Sequence, residues 1–399
     1  MITVEQADDL LQNIDTEWGK CSCEINDSAG EVLRETIVAD RDFPPFNRVA
    51  MDGYALSYIA WEDGHRKFSI QAEQRAGDTQ IKLSDQLNCI GVSTGGTLPE
   101  GCDCVIKKED ILRHQQYIEI PESVSIQKNQ NIHHQGSDYE RQKILIQPGI
   151  VISPNEIGVL ASVGKNTVKV SKKPKIAVIA TGNELVPIDV PPKDYQIRLS
   201  NSYVIQSAFK LNNYSDVDCF HLNDEYNLIE KSIKEYLATY DVMVFSGGVS
   251  AGNFDFIPKA LKQAGVNELF HKVRQRPGKP LWAGEKERRM VFGLPGNPVS
   301  AIICLYRYII PILNNCLGKP RTNPDTIKLA ETIEFNKPLT LFSPVKITSI
   351  DGECWGTPIK INGSGDLVSM VNSDGFIECN EERGLFPKGT IMKVYKWTN

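Results

Sequence analysis

Between Ser246 and Ser300 the chain carries three short loops rich in glycine and proline: Gly247-Gly248-Val249-Ser250-Ala251-Gly252, Pro277-Gly278-Lys279-Pro280 and Gly293-Leu294-Pro295-Gly296-Asn297-Pro298-Val299-Ser300. The chemistry they suit is anion binding. Glycines let backbone N–H groups approach an oxyanion closely, and Asn297 capping a helix with Pro298 at its first position would aim a positive dipole end at the same ligand. Ser300 then falls in that first turn. One such loop alone is more often a plain connection, whereas three together point to a site.

Acids follow strand-like runs close by: Glu184, Asp224 and Asp255. Carboxylates beside phosphate-binding backbone hold Mg²⁺, which takes oxygen ligands; equally, Asp224 and Asp255 fit the role of helix N-caps or first-turn acids. Lys272, Arg276 and Lys279 supply positive charge. If their segment is a strand, Lys272, Arg274 and Arg276 share a face, and a solvated basic edge is the plain alternative. A second set lies nearer the amino terminus: Asp52-Gly53, Thr94-Gly95-Gly96, Glu100-Gly101 and Gly136-Ser137-Asp138. Each is first of all a turn signal. His133 and His134 are adjacent, so on a strand they face opposite ways and do not form a paired metal site.

The elements that must position these residues follow from patterning. Apolar runs at 176–180, 217–222, 242–245 and 290–292 alternate with helical spacing at 202–211, 226–237, 256–263 and 301–313. That alternation predicts a doubly wound, mostly parallel sheet with helices on both faces, whose ligands bind past the carboxyl ends of the strands. Thr3 and Gln6 form a capping box for an opening amphipathic helix. Short alternating runs such as 67–70, 89–92 and 117–120 predict a β-rich insertion, and strand-like runs return after the polar connection at 317–324. The expected organisation is multidomain α/β plus β. It comprises a helical and linker domain at 1–45 plus 146–171, an inserted β domain at 46–145, the central α/β domain at 172–320, and a β-barrel-like domain at 321–399.

Composition narrows the class. In 399 residues there are 50 acidic and 44 basic side chains, a balance that argues against nucleic acid or an anionic membrane surface as partner and for a small ligand. No run is expected to reach the continuous apolar length that spans a bilayer, and the first residues lack a signal pattern, so the expectation is cytoplasmic. Ten scattered cysteines predict reduced thiols, with neither a disulfide framework nor zinc.

Taken in order, the motifs resemble the molybdopterin molybdenumtransferases, the MoeA type also found as the E domain of gephyrin. The resemblance is carried by Phe43-Pro44, Ala50-Met51-Asp52-Gly53-Tyr54-Ala55, Thr94-Gly95, Pro99-Glu100-Gly101-Cys102-Asp103, Thr181-Gly182-Asn183-Glu184-Leu185, Ser246-Gly247-Gly248-Val249-Ser250 and the two later loops. It implies a homodimer with an active site between domains of two subunits, and a central domain of the molybdopterin-binding type. It further implies insertion of molybdenum, from molybdate, into adenylylated molybdopterin with Mg²⁺ and release of AMP, with pathway enzymes as possible partners. Lys279, Pro280 and Ser300 match the family's molybdate positions, and Asp224 and Asp255 match acids linked to metal and to adenylyl cleavage. Glu184, Lys272 and Arg276 match further active-site positions; Asp52, Thr94 and Asp138 match those of the inserted domain. Gly247, Gly248, Ser250, Gly252, Gly296, Asn297 and Ser369 complete the implied binding set. Two departures stand out: Arg276 replaces a usual lysine, and Pro344 lies where an arginine often meets molybdate. The alternatives are the adenylyltransferase of the same pathway and a non-catalytic molybdopterin-binding scaffold.

Overall fold

The structure, a computed structural model, describes residues 1–249, 256–320 and 324–398. The expected site residues Ser250, Gly252 and Asp255 lie outside them. The chain divides into two bodies: one of Met1–Arg34, Gly149–Ser153 and Thr167–Asn399, the other of Glu35–Pro148 and Pro154–Asn166.

The larger body opens with α1 (Val4–Gln12), whose Thr3 and Gln6 make the capping box in both directions. Its sheet has six strands: β1 (Ile176–Thr181), β2 (Val217–Leu222), β3 (Val242–Ser246), β4 (Asn267–His271), β5 (Trp282–Lys286) and β6 (Arg289–Leu294), in the spatial order 2-1-3-6-5-4. The first four in that order are parallel, and β5 and β4 add an antiparallel edge. Every residue of β1 and β3 is buried. Because side chains alternate, Ile176 and Val178 join one core with Val242 and Val244, while Ala177 and Ile179 join the other with Met243 and Phe245. Helices α2 (Ser200–Leu211) and α5 (Pro298–Cys316) cover the first face, with α1 in the same cluster. Helices α3 (Tyr226–Thr239) and α4 (Ile257–Gln263) cover the second.

Helix α5 corrects one expectation. It runs for 19 residues with a mean hydropathy of 1.4 over an 18-residue window, enough by length and composition to cross a bilayer, but 72% of that window is buried inside the fold, where it serves as the core helix. A π-type turn at Leu305–Ile309 interrupts it.

Five strands of the tail, Asp325–Leu329, Thr340–Ile350, Glu353–Pro358, Gly375–Cys379 and Ile391–Lys396, close on themselves as a barrel. It is joined to the central domain twice. Gln275–Arg276 pairs with its strand at Thr340, and Phe342, Met370 and Phe376 belong to the same core cluster as α5.

The smaller body holds a six-stranded sheet in which Gly53–Leu56 lies between Cys104–Lys107 and Asn88–Val92. Asp52-Gly53 is therefore not a hairpin turn. Gly53 begins a central strand, and a Cβ there would stand 1.8 Å from Ile106 O, so glycine answers a close backbone approach.

Candidate active site

At the carboxyl ends of β1 and β3 the larger body has a pocket of about 480 Å³. Its lining brings together Gly182, Glu184, Asp224, Gly247, Gly248, Pro280, Gly296 and Asn297. The three loops thus converge, and glycine geometry explains how. Gly247 and Gly248 have φ of 97° and 68°, and a Cβ on them would meet Thr181 O at 2.8 Å and Thr181 Oγ1 at 2.9 Å, so the pair lies directly on Thr181. Gly296 adjoins Gly247, its Cβ position 3.8 Å from the Gly247 Cα. Gly278 has φ of 91° and would drive a Cβ to 2.5 Å from Cys304 Sγ and 2.6 Å from Gln275 Nε2, which seats the second loop against α5.

Two side chains that the sequence did not single out hold these loops. Asn201, in the first turn of α2, donates from Nδ2 to Ser246 Oγ at 2.9 Å and to Gly296 O at 2.8 Å, joining the first loop to the third. Gln275, fully buried, donates from Nε2 to Pro277 O and Gly278 O at 3.2 Å, and its Oε1 accepts from the Tyr308 hydroxyl. Beside it, burial pushes the Cys304 thiol up to about 12, so it stays neutral. Only the turn chemistry of the loops was visible in sequence; an isolated Asn or Gln inside a helix or strand pattern carries no comparable signal.

Polar satisfaction marks where a ligand belongs. Thr181 and Ser202 are 5% and 6% exposed, line the pocket, and have hydroxyl oxygens with no hydrogen-bond partner among the described residues. Buried hydroxyls are ordinarily paired, so an orphan pair at one pocket fits groups that a ligand would satisfy. The charged side chains of the described lining are Glu184, Asp224 and Arg198. Glu184 folds back over Gly182, and Asp224 donates its N–H to Asn183 Oδ1 at 3.1 Å, tying the ends of β1 and β2 together. The N-cap of α3 is Glu225, so Asp224 stands one residue before the capping position expected of it. Among the described residues no three His, Cys, Asp or Glu side chains form a metal cluster. Glu184 and Asp224 are nevertheless hard oxygen donors of the type Mg²⁺ takes when substrate phosphates and water complete its shell.

The condition under which the three basic residues would share a face, an extended strand, is not met at Lys272. Lys272 has φ of 71°, with its N–H bonded to Leu281 O and its carbonyl to Ile2 N–H, so the chain turns there and the alternation with Arg274 and Arg276 is lost. Arg274 is ion-paired to Glu381 at 2.7 Å. Lys279 and Arg276 are exposed, and among the described residues neither has a side-chain partner. Ser300 is buried in the first turn of α5 at 3% exposure.

Asn297 is the N-cap with Pro298 after it, but its side chain makes no capping bond; Nδ2 donates instead to Ser364 Oγ at 2.7 Å, from the barrel domain. Ser364 O also accepts from Val299 N–H at 3.1 Å. Pro298 has no N–H, so Ser300 keeps the remaining first-turn amide. Ser369 donates its hydroxyl to Asp366 Oδ2 at 2.6 Å as part of a local helix cap. Pro344 is buried in a barrel strand opposite Phe376.

In the smaller body Asp52 Oδ1 accepts from both Thr94 N–H and Thr94 Oγ1 at 2.8 Å, and Lys108 Nζ stands 3.8 Å from Oδ2. The Thr94 bonds hold its carboxyl below the usual carboxylate range. His133 Nε2 lies 3.0 Å from Asp138 Oδ1.

Comparison with known proteins agrees with this architecture. Residues 2–164 match the MoeA N-terminal region (domain I and II), 177–315 a probable molybdopterin binding domain, and 326–397 the MoeA C-terminal region (domain IV). A molybdopterin molybdenumtransferase of Synechocystis sp. is 33% identical over the whole of both chains, and one of Staphylococcus epidermidis is 30% identical, covering 98% of this chain and 95% of its own. The crystal structure of a molybdopterin biosynthesis MoeA protein from Pyrococcus horikoshii superposes with a TM-score of 0.83 at 28% identity, covering both chains completely. With three loops meeting on one pocket, and full-length likeness on either side of it, the chain belongs to the molybdopterin molybdenumtransferase (MoeA) family.

Proposed function

We propose that this protein inserts molybdenum into adenylylated molybdopterin and releases AMP, with Mg²⁺ and molybdate required, in the cytoplasm and as a homodimer. The observation that supports this most directly is the pocket beneath the three loops, where the Thr181 and Ser202 hydroxyls lack partners among the described residues. In this reading the phosphate end of the substrate lies on Gly247 and Gly248 and takes hydrogen bonds from those hydroxyls. Glu184 and Asp224, with Asp255, would hold Mg²⁺, which when bound offsets negative charge on phosphate oxygens. Lys279, Pro280 and Ser300 cradle the tetrahedral molybdate dianion; Arg276 and Lys272 add positive charge to that side, and Ser369 serves from the barrel domain. Arg276 brings a planar fork where a lysine would bring a point charge. Asp255 positions the attacking group or accepts its proton, and Asp52, Thr94 and Asp138 act in the same reaction.

The four-part domain division stated above is retained within this reading, each part contributing residues to one reaction. The test is direct: the purified chain is incubated with adenylylated molybdopterin, Mg²⁺ and molybdate, and AMP and metal-loaded pterin are measured. Both products are expected. Adenylylation of molybdopterin from ATP, or binding without AMP release, would overturn the proposal.

A further inference from the structure

Asp138 ends a short hydrogen-bond chain that begins on a neighbouring strand. Arg48–Val49 pairs antiparallel with Ile132–His133, and the register sets His133 opposite Arg48. Arg48 Nη2 stands 3.0 Å from His133 Nδ1, and His133 Nε2 stands 3.0 Å from Asp138 Oδ1. A guanidinium has donors only, so Nδ1 must accept. The ring proton then belongs on Nε2, from which it is donated to the carboxylate. Both the tautomer and the direction of the imidazole are set by an arginine that cannot give up its charge.

The backbone of the Asp138 loop is fixed independently. Asp138 N–H donates to Phe43 O at 2.9 Å, and Gly136, at φ of 72°, donates to Pro44 O at 3.0 Å. What remains to be set is the carboxylate itself, and His133 spends one of its oxygens. Among the described residues Oδ2 has no protein partner, and the Asp138 side chain is 49% exposed, so this oxygen is open to a ligand.

We infer that His133, held by Arg48, is a positioning residue that fixes the Asp138 carboxylate with Oδ2 presented for the reaction. The inference rests on the reading that Asp138 serves molybdenum insertion. The simpler role, a polar link across a two-residue ribbon, predicts a change in stability alone. In the positioning role the imidazole works through Asp138, so its loss lowers the turnover number and leaves substrate affinity in place.

The experiment uses the full chain with three variants, His133→Leu, His133→Gln and Asp138→Asn, in the AMP-release assay, with thermal melting as a check on folding. His133→Leu is expected to lower kcat about tenfold with KM unchanged, the worth of one charge-assisted hydrogen bond. His133→Gln, whose amide donates to Asp138 much as Nε2 does, is expected to stay within about threefold of the unmodified chain. Nitrogen-15 NMR of histidine-labelled protein should show one ring with its proton on Nε2 and an accepting Nδ1, a signature absent from His133→Leu. Normal kcat in His133→Leu alongside an impaired Asp138→Asn would overturn the inference and leave the assignment of Asp138 standing. Normal kcat in Asp138→Asn would remove that assignment and the positioning role with it. Equal losses in the Leu and Gln variants, tracking their melting temperatures, would leave His133 a structural link only.

Discussion

Around the buried Arg307 the charges are paired, whereas around Thr181 and Ser202 the buried hydroxyls have no partner among the described residues, although both centres lie in the same body. Arg307 is 8% exposed on the π-type turn of α5. Its Nη1 and Nη2 donate to the two oxygens of Asp8 on α1 at 2.8 and 2.7 Å, and its Nε donates to Glu378 of the barrel at 3.0 Å. Tyr395 adds its hydroxyl to Glu378 at 2.8 Å. Burial works against the charge, but Asp8 and Glu378 outweigh it and hold the guanidinium well above its ordinary pKa. These three bonds make Arg307 a clamp between three parts of the chain. The pocket has the opposite character, with two buried hydroxyls left unspent. What sets Thr181 and Ser202 apart from other unpaired buried atoms is that both line one pocket, where a ligand could supply the missing bonds.

Substitution at the clamp should break this contrast most forcefully. Arg307→Met leaves Asp8 and Glu378 facing each other without their cation, and is expected to cost about 3 kcal/mol or more in unfolding free energy, read by denaturant titration. A loss under about 1 kcal/mol would mean that the cluster is solvated and clamps nothing. Next comes Gly248→Ala. Its Cβ would stand 2.9 Å from both Ile257 Cγ1 and Thr181 Oγ1 at a positive φ, so the loop must shift, and a displaced loop is expected to lower kcat on the order of 100-fold in the AMP-release assay.

Thr181→Val and Ser202→Ala sharpen the comparison from the other side. Each removes a hydroxyl that has no bond to lose among the described residues, so folding stability should stay within about 0.5 kcal/mol, while KM for adenylylated molybdopterin rises about tenfold. A stability loss with unchanged KM would show that the hydroxyls have partners within the protein. The smallest effect is expected at Asp52. Its carboxyl sits below the usual range because Thr94 bonds favour the charged form. Such a group contributes stability that is present above the ordinary aspartate value and is lost as pH falls through the lowered one. Thr94→Val should move the Asp52 midpoint upward, as followed by carboxyl NMR titration, and narrow the acid range over which the inserted domain keeps that contribution.

Legibility in sequence followed the range of the forces involved. The parallel strands were plain because Ile176 to Ala180 and Val242 to Phe245 are buried on both faces, and the loops were plain because glycine and proline report local backbone demands. Asn201 and Gly296 are 95 positions apart, and Arg307 and Asp8 are 299 apart, so nothing in the local pattern of either residue announces its partner. The shared face of Lys272, Arg274 and Arg276, conditional on a strand, fails for a related reason. Alternation predicts a shared face only while the backbone stays extended, and hydrogen bonds to Ile2 and Leu281, both distant from Lys272 along the chain or across the loop, bend it at that residue. Asp224 missed the cap by one position because Asn183, at the end of a different strand, takes its N–H.

The strand shared at Gln275–Arg276 limits how this protein can be cut into pieces. A fragment that stopped before Asp325 would strip the hydrogen-bonding partner from that segment and bare the seat of Phe342 and Phe376 on α5. It would thereby acquire a sticky edge beside an oily hollow, the combination from which chains associate with one another. Anyone wishing to study the pterin-binding portion alone would do better to keep the tail and silence it by point changes than to delete it.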